Sequence, residues 1–268
     1  MCKNRLSYGR KADRDKSITT FHLFKHIFAK HNLQVKFKMI VSLTIIRYRK
    51  LCIPFALIAM ALHRIPLSFS NYGFWKLMGC GKNGTFDLKP DWQQWALMIT
   101  WDKEDDFNKF YKESFIAWWW RCFTQEQWTI LCEPMSSHGK WNGKQPFLVN
   151  PESTYQSGPI AVLTRATIRF SKLKRFWSSV KSVANIMSTS NGYITSVGIG
   201  EAPFFLQATF SIWEKMEDIT NFAYKSPEHL AVIKQTRDEN WYSEELFARF
   251  IPLKSYGQIN GKNPLPLL

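Results

Sequence analysis

The most reactive arrangement in the sequence is a histidine near the start of a helix. Ser226-Pro227-Glu228-His229 reads as N-cap, N1, N2 and N3 of a helix. In a first helical turn the macrodipole disfavours an imidazolium, so the His229 ring is expected to stay neutral and keep a nitrogen lone pair for a metal. The alternative is a helix-start histidine that packs or hydrogen-bonds locally. Arg165 lies in the middle of the strand-like run Leu163-Thr164-Arg165-Ala166-Thr167. A guanidinium on a covered strand needs an anionic partner, either a cofactor carboxylate such as a haem propionate or Glu201, which follows Gly200. The third feature is aromatic richness. Twelve Trp accompany Phe204 and Phe205, and such rings either line an apolar pocket with a wet rim or fill a core.

Other chemistries are poorly supported. There is no G-x-S-x-G and no H-E-x-x-H, and Gly79-Cys80-Gly81-Lys82-Asn83 lacks the spacing and the Ser or Thr of a phosphate loop. His63 ends an apolar helix and His138 lies in a linker. Either can serve as a ligand, with no local argument better than that for His229. His22 and His26 would share a helix face, but no third ligand accompanies them. The five cysteines, Cys2, Cys52, Cys80, Cys122 and Cys132, are odd in number and show no zinc spacing, which predicts reduced thiols in a cytoplasmic setting.

The elements that position these residues are predicted by an internal repeat. Trp101-Asp102-Lys103 with Asp105, Asp106, Phe107 and Phe110 matches Trp213-Glu214-Lys215 with Glu217, Asp218, Ile219 and Phe222 at an offset of 112, and Ser114 then falls on Ser226. Leu43-Thr44 with Arg49 matches Leu163-Thr164 with Arg169 at 120, and Gly79-x-Gly81 matches Gly198-x-Gly200 at 119. In this alignment His229 stands where the first half has Ala117, Arg165 opposite Ile45, and Glu201 opposite Lys82. Positions that differ in kind are the better site candidates. Each half reads β-α-β-β-α-β with its last helix broken in two, a ferredoxin-like unit. One such sheet leaves an apolar face uncovered, so the expected fold is α+β, with tandem ferredoxin-like units packed sheet on sheet as a pseudo-dimeric α/β barrel. The expected organisation is a basic arm over residues 1–38, disordered or ahead of the mature start, a first repeat over 39–136, a linker over 137–158, a second repeat over 159–254 and a tail over 255–268.

The chain has 268 residues, of which 45% are apolar, enough for a substantial core. Its net charge is +15, but +8 of this falls in residues 1–38 and only +7 in the other 230, so nucleic-acid binding by the folded part is not expected. The longest uninterrupted apolar run, Leu51 to Leu62, is too short to span a bilayer. No secretory signal is visible.

Several segments together resemble the spheroidene monooxygenase family of carotenoid-modifying oxygenases. They are Phe74-Trp75-Lys76-Leu77-Met78-Gly79-Cys80-Gly81, Ala161-Val162-Leu163-Thr164-Arg165-Ala166-Thr167-Ile168-Arg169, Gly198-Ile199-Gly200-Glu201-Ala202-Pro203, Gln207-Ala208-Thr209-Phe210-Ser211-Ile212-Trp213 and Glu245-Leu246-Phe247-Ala248-Arg249-Phe250. The likeness runs in order from about Ile40 to Leu253. It implies hydroxylation of an acyclic carotenoid near its chain end, at the carbon numbered two, with a second hydroxylation giving a ketone. It also implies haem, dioxygen and electrons from reduced ferredoxin. Joined to the residue-level reading, it gives these expectations: His229 ligates the iron, Arg165 and Arg237 pair with propionates, and Phe205, Phe210, Trp213 and Trp241 line a polyene channel. A lipid-soluble substrate and a basic chain imply peripheral contact with the inner face of the cell membrane. The alternatives are a monooxygenase on the same barrel that uses no bound metal and a non-catalytic carrier of haem or another apolar ligand.

Overall fold

In the computed structural model the residues described are 38–82, 89–202, 204–225 and 227–266. Residues 1–37 of the basic arm, with His22, His26 and His31, lie outside them, as do Asn83 and Ser226, the residue expected as an N-cap. From Lys38 onward the chain forms one unit.

Eight strands close into an antiparallel barrel: β1 (Ile40–Tyr48), β2 (Trp75–Gly81), β3 (Pro90–Trp101), β4 (Thr124–Gly139), β5 (Ile160–Ile168), β6 (Tyr193–Ala202), β7 (Leu206–Trp213) and β8 (Tyr242–Gly257). The order around the barrel is β1-β3-β2-β6-β7-β5-β8-β4. The first four strands therefore run as β4-β1-β3-β2 and the last four as β8-β5-β7-β6. Expected sheet-on-sheet packing is corrected here, because the two sets join edge to edge into one sheet. One seam is long, with β4 and β8 paired from Trp128 opposite Gly257 to Gly139 opposite Leu246. The other is short, where Gly79 meets Gly200 and Cys80 meets Ile199. Closure leaves no free strand edge.

Helices cover the outside: α1 (Ile53–Leu62), α2 (Arg64–Phe69), α3 (Glu104–Glu113), α4 (Phe115–Phe123), α5 (Leu173–Thr189), α6 (Met216–Lys225) and α7 (Pro227–Asp238). Their starts follow local rules. The hydroxyl of Ser114 caps α4 by accepting from the amide of Ala117, and Glu104, Asp105 and Asp106 place negative charge on the first turn of α3. With residue period two, alternate strand side chains face opposite ways. Val41, Leu43 and Ile45 of β1 and Ala161 and Leu163 of β5 enter the barrel core, while Ile40, Ile46 and Tyr48 lie under the helices of the first half and Ala166 and Ile168 under α5 and α7.

The expected linker and tail are corrected as well. Residues 137–158 and 255–266 begin as the ends of β4 and β8 and then turn into the barrel. Gly139 and Gly257 take positive φ, and a Cβ on either would strike the carbonyl oxygen of Glu245 or Gln127. Asn142-Gly143 and Asn260-Gly261 follow, all four at positive φ, as a two-residue type I′ turn requires. Phe147 and Leu265 then insert into the barrel core. The barrel is consequently a packed core and not an open channel.

The helix that carries the apolar run from Leu51 extends beyond that run. Helical backbone continues through His63, and Lys50–Phe69 forms a helix of 20 residues whose most apolar 18-residue stretch has a mean hydropathy of 1.6, enough by length and composition alone to cross a membrane.

Candidate functional site

His229 sits on α7, in the layer outside the barrel. Its ring stacks on Phe222 of α6, with centroids 4.5 Å apart and an interplanar angle of 23°, and Phe222 in turn faces Trp213 of β7 at 5.2 Å. Nδ1 lies 3.3 Å from the carbonyl oxygen of Ala223. Burial lowers the His229 pKa, while hydrogen bonds to the backbone of Ala223 and Phe222 act in the opposite direction, so the ring is neutral at pH 7. The structure thus brings His229 and Trp213 together through Phe222. Arg237 is exposed at the far end of the same helix, eight residues or about 12 Å along the axis from His229.

Arg165 faces the other way, into the barrel. It is 2% exposed, stacks over Trp141 at 5.6 Å, is ion-paired with Glu244 and lies 3.8 Å from Glu201. Glu201 also accepts from Lys76 and from Trp141 Nε1. Glu244 takes the amides of Asn142 and Gly143 at 2.8 and 2.7 Å. Burial pushes its carboxyl up, but these amides and Arg165 together hold it below the usual carboxylate range. The first half contains the same construction. Arg47 pairs with Glu126 at 3.6 Å and Asp91 at 3.1 Å, and Glu126 takes the amides of Asn260 and Gly261. In strand register Thr167 pairs with Glu244 and Arg47 with Glu126, so the second-half arginine enters two residues earlier on the same face. Arg165 is therefore a turn anchor paired inside the protein. It is not beside His229.

The four aromatic residues expected in one channel are dispersed. Phe210 is in the barrel core, Trp213 packs outside it with Met187 and Ile219, and Trp241 is fully buried with Phe176 and Val180 and donates to Glu239. Phe205 is 39% exposed.

A second polar feature, given less weight than His229 from sequence, lies under α1. His63, at the junction of α1 and α2, is 2% exposed. Rings of Phe115, Trp119 and Trp120 surround it at 6.1, 5.8 and 6.4 Å. It lines a cavity of about 10 Å³ together with Tyr48, Ala56, Ala59 and Trp120. The Oη of Tyr48, Nε2 of His63 and Nε1 of Trp120 have no hydrogen-bond partner. Burial lowers the His63 pKa to about 4 and raises that of Tyr48. The space is below the roughly 300–1,000 Å³ of small-molecule sites. It is at most the size of a single water, which would need two to four polar partners. The signal in sequence is the small pair Ala56 and Ala59 where the second half, at an offset of 120, has Phe176 and Ser179.

Among the described residues no group of three His, Cys, Asp or Glu is placed to hold a metal ion. The buried thiol of Cys80 is pushed up to about 12 by desolvation, so it does not supply a thiolate at neutral pH.

The fold is similar to that of aldoxime dehydratase (OxdRE) in complex with butyraldoxime, at a TM-score of 0.54 over 84% of each chain and 11% identity. At that identity the likeness is one of fold. No family model matches the chain. Sequence relatives are more informative. Spheroidene monooxygenase of Rhodobacter capsulatus is 35% identical over 217 residues, 80% of this chain and 89% of the relative. The protein of that name from Cereibacter sphaeroides is 37% identical over 208 residues, 77% of this chain and 62% of the relative. That from Rubrivivax gelatinosus is 32% identical over 189 residues. The chain belongs to the spheroidene monooxygenase family, whose named members are oxidoreductases. It spans about three-fifths of the length of the Cereibacter relative.

Proposed function

We propose that this chain is a monooxygenase that hydroxylates, and by a second hydroxylation ketolates, an acyclic carotenoid of the spheroidene type near its chain end. The observation that carries the reading is the relationship to the Rhodobacter capsulatus enzyme over nearly its whole length. We read the two halves as fused ferredoxin-like units, since each gives the strand order fourth-first-third-second within β-α-β-β-α-β. Reduced ferredoxin as electron donor, a cytoplasmic setting and contact with the inner face of the membrane belong to the same proposal. The four free cysteines of the described residues, Cys52, Cys80, Cys122 and Cys132, are consistent with a reducing compartment.

Haem is the proposed cofactor, and His229 meets the chemical requirement for its axial ligand. Burial lowers the pKa of the ring and so favours its neutral form, which is the form a metal takes. When bound, haem supplies dioxygen activation. The chain's own part is to fix the His229 ring plane through Phe222, which Trp213 backs in turn. Arg165 does not meet the requirement for a propionate partner, because Glu244 already neutralises it inside the barrel. Arg237 remains the candidate cation on α7.

Haem titration of the purified protein tests the ligand. His229→Ala is expected to weaken haem binding more than about 10-fold and to shift the Soret band, given that even groups behind a ligand are worth 10- to 100-fold. An unchanged band removes His229 from the role, and a band lost instead in His63→Ala transfers it to His63. Activity is read by expressing the chain in a carotenoid-producing host. Pigment carrying added oxygen is expected, whereas unmodified pigment co-purifying with the protein would identify a carrier.

A further inference from the structure

The helix over Lys50–Phe69 carries two apolar stripes. One, Ala56, Ala59, His63 and Leu67, is buried against the barrel. The other, Leu51, Phe55, Ile58, Leu62, Ile65 and Phe69, repeats at alternating spacings of four and three and so occupies one face. Its residues are between 37% and 92% exposed. The second half provides an internal control. At an offset of 120 the same six positions are Ser171, Arg175, Ser178, Ser182, Asn185 and Thr189, so nothing in the fold requires an apolar outer face there. Exposed Phe115 and Trp118 of α4 widen the patch.

The charges around this patch are mostly basic, Glu113 just ahead of Phe115 being an exposed acidic residue beside it. Arg49, Lys50, Arg64 and Arg121 are exposed at its edge, and no Asp or Glu occurs between Ile40 and Phe86. Two copies meeting through this face would bring like charges together, whereas an anionic lipid surface complements them. The buried stripe keeps the helix on the barrel, which favours lying in the interface over crossing the bilayer. We propose that the outer face of Lys50–Phe69, with Trp118, is a docking surface that enters the headgroup and upper acyl region of an anionic bilayer. The inference rests on the reading of a lipid-soluble substrate only in placing the enzyme near membranes; the surface itself is argued from the helix.

Co-sedimentation of the full chain with vesicles tests it, without carotenoid, haem or electron donor. A failed pigment experiment therefore leaves the docking result readable, and the reverse also holds. Binding is expected to phosphatidylcholine vesicles containing phosphatidylglycerol and to be weaker with phosphatidylcholine alone. Ile58→Glu/Ile65→Glu is expected to reduce binding at least about 10-fold, because charge enters the acyl boundary. The matched change on α5, Ser178→Glu/Asn185→Glu, is expected to stay within about 2-fold, as fits a helix away from the lipid surface. Thermal melts confirm that both variants fold. Wild-type protein that stays in the supernatant with anionic vesicles overturns the proposal, as does equal loss in the two variants. A lipid-free dimer that Ile58→Glu/Ile65→Glu splits, with no vesicle binding, overturns it in favour of a second copy of the chain.

Discussion

Arg165→Met is expected to destabilise the protein by about 3 kcal/mol, measured as the shift in denaturant midpoint at constant slope. Breaking a buried pair by removing one partner costs about 3–5 kcal/mol, because the remaining charge stays desolvated. The low end applies because Glu244 keeps two backbone amides and Glu201 keeps Lys76. Changing both partners, Arg165→Met/Glu244→Gln, is expected to be less damaging than Arg165→Met alone. A loss under about 1 kcal/mol would contradict the turn-anchor role, since it lies below the range for a broken buried pair. The same variant separates the two readings of Arg165. Haem binding per folded molecule is expected to be unchanged, and its selective loss would return Arg165 to the cofactor.

Acid is expected to destabilise the wild type through His63. The folded pKa, about 4, lies below the unfolded value of 6.5, so between those values the unfolded chain binds the extra proton. The contribution is fully present above pH 6.5 and is lost as pH falls toward 4, in total about 3 kcal/mol at 1.36 kcal/mol per unit. That is a large part of the roughly 5–15 kcal/mol that holds a domain folded. No carboxylate on α1, α2 or α4 faces the ring to offset the charge. His63→Leu is expected to flatten the stability profile between pH 6.5 and 4. Parallel profiles for wild type and variant would refute it.

How much of this was legible in the sequence depended on which physical signal each residue carried. Element order and offsets were readable because aromatic strand ends and acidic helix starts recur, and Trp101 and Trp213 do occupy matching places opposite Ile40 and Ile160. A common channel for Phe210 and Trp213 was excluded by their spacing, since three residues along a strand place side chains on opposite faces. Arg165 looked distinctive opposite Ile45 because alignment by residue pairs does not see a guanidinium that reaches its carboxylate from two places earlier. The repeat also extends further than it was followed. Asn142-Gly143-Lys144-Gln145-Pro146-Phe147 matches Asn260-Gly261-Lys262-Asn263-Pro264-Leu265 at an offset of 118, which marks the supposed linker and tail as equivalent parts of the two halves. His63 was underweighted because burial, and not its neighbours in sequence, makes it unusual.

Those two turns have a consequence for assembly. Asn142 and Gly143 belong to the first half yet seat on Glu244 of the second, while Asn260 and Gly261 seat on Glu126 of the first. Each half latches its sister and neither can latch itself. On a ribosome the early half must wait until Asn260 and Gly261 have been made before its carboxylate at position 126 finds its donors, across a separation of 135 residues. Closure across such a span is slow to nucleate.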